Sequence, residues 1–215
     1  TVYSAIDETN KTNEKVGAMV RYFQTAPADD AAWAVHFLIG RRPKRLVKGP
    51  SMWQWAIEAA DLPAWLFAEC YDAVGDLAET IAAVLPEAPG AYAAAISTPQ
   101  PPSSLTNQSE EGGSDSLTHW VENVLLPLGA MPEPEQREAL LRAWRDLDRQ
   151  GRYVFNKLIT GAFRVGVSQD LVVRALAQFS QVPAPVISHR LMGNWTPTAA
   201  FFDSLVATNS ATSRG

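Results

Sequence analysis

The sequence predicts an all-α fold of about ten to twelve helices arranged in two lobes. Apolar residues recur at intervals of three and four along most of the chain, which is the spacing of one helical face. Typical helix-starting and helix-ending residues separate these apolar segments. No segment shows a strong alternation of apolar and polar residues; FRVGV, at 163–167, is the only weak candidate for a strand.

The first two helices have clear limits in the sequence. The first spans residues 12–25, TNEKVGAMVRYFQT, where the apolar side chains recur at helical spacing. The second begins at Asp29 or Asp30. Gly40 is expected to end it, because glycine readily adopts the left-handed backbone that follows many helices.

Three further helices complete the first predicted lobe, residues 1–85. Ser51 can cap the helix SMWQWAIEAAD, and Pro63 suits the first turn of the next one, where its missing N–H costs nothing. Asp76 and Glu79 have the spacing of a capping box, with Asp in place of Ser or Thr. The helix that they open ends at Pro86.

Residues 86–114 are rich in Pro, Ser and Gly and predict a long flexible segment between the lobes. The second lobe, 115–208, has helices predicted at 115–128, 134–149, 151–160, 168–180, 183–192 and 196–207. Thr196 is a suitable N-cap for the last of these and Pro197 a suitable first-turn residue. Residues 1–208 would form one helical domain, followed by a tail at 209–215.

The composition is typical of a soluble globular protein rather than a disordered one. The 215 residues are 47% hydrophobic and 19% charged, with a net charge of −5. No apolar run approaches the roughly 18 residues of a membrane helix. No secretory signal is visible, and Cys70 is the only cysteine. The chain is therefore expected to be cytoplasmic and to lack internal disulfides. It is also expected to be a monomer.

The basic charge is concentrated in one segment, GRRPKRLVKG, at 40–49. It holds five cations and no acid, whereas the rest of the chain carries 13 basic and 23 acidic residues. Guanidinium groups suit phosphate oxygens because their forked donors engage two oxygens at once. The segment therefore predicts a phosphate-binding loop, the alternative being a solvated loop. Its basic residues are Arg41, Arg42, Lys44, Arg45 and Lys48.

A second candidate phosphate contact is NKLITGAFRVGVSQ, at 156–169. It combines cations with glycines that let a backbone come close, and with the start of a helix, whose free N–H groups suit a phosphate. The alternative is an ordinary helix–loop–helix with standard caps. The candidate phosphate-binding residues are Lys157, Gly161, Arg164, Gly166, Ser168 and Gln169. Together the two segments indicate a protein that binds a nucleic-acid backbone without reading its sequence.

Residues typical of catalysis are sparse. His36, His119 and His189 lie on three separate predicted helices, and Cys70 is interpreted as a small core residue. The sequence contains no GxGxxG, no Walker A motif and no Lys-x-Asp-Gly. The seven tryptophans favour core packing over base stacking.

Several segments resemble one known family in order. NKLITGAFRVGVSQDLVVRALA is similar to the helix–loop–helix of the N-terminal DNA-binding domain of ATP-dependent DNA ligases, and VGDLAETIA resembles that domain's Gly-Asp-Leu segment. TNKTNEKVGAMVRYF, LIGRRPKRLV and HRLMGNWTPTAAFF are similar to the family's bacterial branch. The resemblance runs from about residue 3 to residue 206 and is weakest across 86–114.

The resemblance implies an all-helical domain that grips nicked duplex DNA through backbone contacts in the minor groove. In that family the domain precedes nucleotidyltransferase and OB-fold domains, which carry the lysine that takes AMP. It implies a fragment of a nick-sealing enzyme of DNA repair, replication and recombination, localised at a bacterial nucleoid. Its partners would be nicked double-stranded DNA and those catalytic domains. No cofactor is expected in this chain, because ATP and Mg²⁺ would bind the catalytic core.

Two other functions fit the residues. An all-helical scaffold could dock an acidic protein partner on the basic segment; it predicts no salt-dependent DNA binding. A small helical enzyme with an unrecognised site predicts turnover by this chain alone. The sparse catalytic residues make the enzyme the weaker alternative.

Overall fold

The computed structural model describes residues 3, 6, 9, 11–43, 46–86, 116–161 and 166–208. Every regular element within these ranges is helical, as the sequence predicts. In chain order the elements are α1 (Thr12–Thr25), α2 (Ala28–Leu38), α3 (Gly49–Ala60), α4 (Ala64–Val74), α5 (Leu77–Val84), α6 (Leu117–His119), the π-helical segment π1 (Trp120–Leu125), α7 (Leu126–Leu128), α8 (Glu133–Asp146), α9 (Arg149–Thr160), α10 (Gln169–Ser180), α11 (Ala184–Arg190) and α12 (Ala199–Val206).

The chain divides into two compact units. Unit 1 combines Thr1–Arg42 with Phe163–Gly215, and unit 2 is the continuous segment Pro43–Ala162. The predicted lobes, 1–85 and 115–208, group the chain differently. The reason is that α1 packs on α10 and α2 packs on α12, which joins both ends of the sequence in unit 1.

The core of unit 1 is built where these helix pairs meet. Phe23 of α1 lies 6.1 Å from Phe179 of α10 and 5.9 Å from Phe202 of α12, between ring centroids. Met19, one turn before Phe23, is completely buried. The spacing that predicts α1 therefore also identifies its buried face.

Unit 2 is organised by α9, which packs on α5. Trp144 of α8 donates its indole N–H to the side-chain oxygen of Asn156 on α9, over 2.8 Å, and both side chains are buried. Arg137 of α8 pairs with Glu58 of α3 at 2.8 Å. A buried hydrogen bond thus connects α8 and α9, and an exposed ion pair connects α8 and α3.

Several helix limits differ from the prediction. Ser51 does not cap α3, which begins at Gly49; its hydroxyl instead bonds to the carboxylate of Glu133, 2.8 Å away. Thr198 rather than Thr196 caps α12, through the backbone N–H of Phe201. Local sequence offered two threonines at this start, and Pro197 precedes the cap instead of following it.

The predicted helix 115–128 contains a π-helical segment, which the spacing did not indicate. Pro127 explains it, because proline has no N–H and its ring clashes with the carbonyl four residues earlier. The N–H of Leu126 instead bonds to the carbonyl of Val121, five residues back. Among the described residues, no helix is both long and apolar enough to cross a bilayer.

Candidate nucleic-acid interface

The predicted contact residues fall in both units. Unit 1 contains Arg41, Arg42, Gly166, Ser168 and Gln169, and unit 2 contains Lys48, Lys157 and Gly161. Lys44, Arg45 and Arg164 lie outside the described residues. Each of the two predicted phosphate-binding segments therefore has residues in both units.

Arg41 makes contacts within the protein that its sequence position did not indicate. Its guanidinium donates to the backbone carbonyl of Gly193 and lies 4.4 Å from the ring centroid of Trp195. The indole of Trp195 stacks on Phe201, with 4.1 Å between ring centroids. Arg41 therefore connects the start of the basic segment to residues 191–195, and its charge is held in a fixed place.

His36 lies against the same aromatic group. Its ring meets Trp195 and Trp33 edge to face, with centroids 5.6 and 5.4 Å away. Burial lowers the pKa of His36 from 6.5 to about 4, and the nearby charge of Arg41 acts in the same direction. The imidazole is consequently neutral at physiological pH.

The neutral state of His36 predicts a pH dependence of stability. In the unfolded chain His36 becomes protonated below about pH 6.5, whereas in the folded chain it stays neutral down to about pH 4. The free energy of unfolding should therefore fall as the pH decreases through this window. His36→Gln should reduce that loss, measured by urea unfolding at pH 7.5 and 5.0, with exposed His189→Gln as the control. Equal pH dependence in wild type and His36→Gln would contradict the prediction.

Two other cations of the basic segment face solvent. The side chains of Arg42 and Lys48 are exposed. Lys48 immediately precedes α3, and its carbonyl accepts the backbone N–H of Met52 in the first turn. A cation at a helix start adds to the partial positive charge of the free N–H groups, which favours an anion at that position.

The segment 156–169 has the predicted caps. Gly161 ends α9 with φ 67°, and Gly166 has φ 57°, both in the left-handed region that favours glycine. The hydroxyl of Ser168 accepts the N–H of Leu171 at the start of α10. Ser168 and Gln169 are exposed, so this helix start is open to solvent.

Lys15 contacts the second candidate segment, at Gly166, and the sequence did not indicate this contact. Its side chain is 8% exposed, and its ammonium donates to the carbonyl of Gly166 over 3.2 Å. Nearby, Arg174 of α10 donates to the side chain of Asn13, 3.0 Å away. A buried cation from α1 therefore holds the turn that leads into α10. No local pattern could pair positions separated by 151 residues.

Lys157 is engaged inside unit 2. Its ammonium pairs with the carboxylate of Asp76 at 2.7 Å and lies 5.3 Å from the ring centroid of Tyr153. Asp76 also caps α5 by accepting the N–H of Glu79, as the capping-box spacing predicts. One carboxylate thus fixes both the start of α5 and the position of Lys157.

A comparison with known protein families found a match. The profile of a family described as DNA ligase N terminus matches residues 1–177, which include both basic segments. A search of curated proteins found no match. Since the family match covers well over half of the 215 residues, this chain belongs to the family of DNA ligase N-terminal domains.

Proposed function

We propose that this chain is the sequence-independent duplex-DNA-binding module of an ATP-dependent DNA ligase. The observation that carries the proposal is the ligase family match, which spans both segments in which cations meet helix ends. Binding to the DNA phosphate backbone requires cations and solvent-accessible N–H groups rather than side chains that contact base edges. Arg42 and Lys48 supply exposed cations, and Ser168 opens an exposed helix start.

The residues contribute to this function in different ways. Arg42, Lys48 and the start of α10 would touch phosphates, together with Lys44, Arg45 and Arg164. Arg41 and Lys157 would contribute less directly, because Gly193 and Asp76 already hold their charged groups. Gly161 and Gly166 would set the backbone path at the two ends of the loop between α9 and α10.

The contribution to nick sealing would be positioning. Holding nicked duplex in a fixed place lowers the entropic part of the reaction barrier, while separate catalytic domains would bind ATP and Mg²⁺ and react at the 5′-phosphate. That role fits DNA repair, replication and recombination in a bacterial cytoplasm. The chain itself would bind DNA without turnover.

Binding of the 215-residue chain to fluorescein-labelled nicked and intact duplexes, measured by anisotropy across a salt series, tests the proposal. We expect log Kd to depend linearly on log salt, with an absolute slope of about 0.9 per phosphate neutralised. The double variant Arg42→Ala/Lys48→Ala should reduce that slope by about 2, because two cations are lost.

The matched control removes the same charge elsewhere. Arg142→Ala/Arg145→Ala deletes two exposed arginines of α8, outside both basic segments, and should leave the slope unchanged. Equal effects of the two double variants would show that net charge alone matters and would refute the site. Absence of binding by the wild type at low salt would refute DNA binding by this chain and favour a protein partner.

A further inference from the structure

The turn formed by residues 191–195 presents an exposed methionine and is bonded to Arg41, the first cation of the basic segment. Met192 is 67% exposed, and in the part of unit 1 that the structure describes no other large apolar side chain is as exposed. Leu191 before it is buried, whereas Gly193 and Asn194 after it are exposed. The turn lies beyond residue 177, where the family match ends.

Hydrogen bonds fix this turn in place. The N–H of Met192 bonds to the carbonyl of His189 at 3.1 Å, and the indole N–H of Trp195 bonds to the carbonyl of Leu191 at 3.1 Å. Arg41 donates a third hydrogen bond, to the backbone carbonyl of Gly193. A side chain presented by a fixed turn loses little backbone entropy on binding, so the arrangement is suited to recognition.

The space beside Gly193, at the tip of the turn, is open. Gly193 has φ 83°, and a Cβ atom built on it would meet no heavy atom within 4 Å. Open space therefore surrounds the tip of the turn on that side.

The surroundings of Met192 favour nucleic acid over protein. Protein interfaces need a contiguous apolar patch, with anchors buried at its centre. Here one apolar side chain stands beside Asn194, and Arg41 brings a guanidinium to the same turn. Isolated apolar side chains flanked by cations and amides match the minor groove, where phosphates border the sugars and base edges.

We propose that the turn at residues 191–195 is a further DNA-contacting element, in which Met192 makes an apolar contact with the minor groove of the duplex. This inference rests on the proposed DNA-binding function. Arg41 acts in it as a positioning residue, which fixes the turn through the carbonyl of Gly193. An apolar contact releases no counterions, so its contribution to affinity is independent of salt.

The salt series distinguishes this contact from a phosphate contact. Met192→Ala should weaken binding to duplex DNA by about three- to tenfold at every salt concentration, because apolar area is no longer buried. The salt slope should stay at the wild-type value. Met192→Leu, which keeps an apolar side chain, should restore most of the affinity.

The matched control is Trp65→Ala, which truncates a side chain that is 68% exposed in unit 2 and should leave affinity unchanged. Circular dichroism melting should show that all three variants fold like the wild type. Wild-type affinity in Met192→Ala would overturn this inference and leave the proposed function standing. No duplex binding by the wild type would overturn both. A changed slope in Met192→Ala would assign the turn to phosphate contact and overturn the apolar one.

Discussion

Arg152→Ala is expected to lower the free energy of unfolding by about 3 kcal/mol, the largest effect predicted for a single residue here. Arg152 lies on α9 and is 2% exposed. Its guanidinium donates to the carbonyl of Leu85 at 3.3 Å and to that of Pro86 at 2.7 Å. Alanine would leave both carbonyls without this donor and a cavity where the long side chain was.

Urea denaturation followed by tryptophan fluorescence measures this change. Arg149→Ala is the control, because it removes the same charge from an exposed position on the same helix. We expect its effect to stay below about 0.5 kcal/mol. If the two variants unfold at the same urea concentration, Arg152 does not hold the chain that leaves α5.

Lys15→Met is expected to have the second-largest effect on the free energy of unfolding, and it should also reduce DNA binding. Methionine keeps most of the buried methylene volume but cannot donate to the carbonyl of Gly166. Loss of a hydrogen bond from a charged donor at a buried position should cost about 2 kcal/mol. Because Gly166 leads into the exposed start of α10, the affinity for duplex DNA should fall as well.

Lys11→Met provides the matched control for this prediction. Lys11 precedes the same helix, is exposed, and pairs with Glu14 at 2.9 Å. Surface pairs of this kind contribute little to stability, so Lys11→Met should scarcely change unfolding. A variant Lys15→Met that is destabilised but binds DNA like the wild type would restrict Lys15 to a purely structural role.

The features predicted correctly from the sequence are those that a few neighbouring residues decide. The caps at Asp76 and Ser168 and the left-handed end of α9 at Gly161 depend on residues within one helical turn. Where two local signals compete, as at the start of α12, spacing alone does not choose between them. The helical class follows because these local signals agree along most of the chain.

The contacts that shape the candidate interface were not predictable in the same way. The bond from Lys15 to Gly166 joins positions 151 residues apart, and that from Arg41 to Gly193 joins positions 152 apart. A charge count identifies Arg41 as a cation but not the carbonyl that it binds. The exposure of Met192 likewise depends on the tertiary fold, since the residue beside it is buried.

The discontinuous composition of unit 1 has a consequence for biosynthesis. During vectorial translation the ribosome completes Pro43–Ala162 before it makes the second segment of unit 1. The nascent helices α1 and α2 then exist without α10 and α12, on which they pack. Unit 2 can condense first, because all of its contacts are available early. The apolar faces of α1 and α2 therefore stay uncovered until residues 163–215 are made, which favours chaperone binding in that interval.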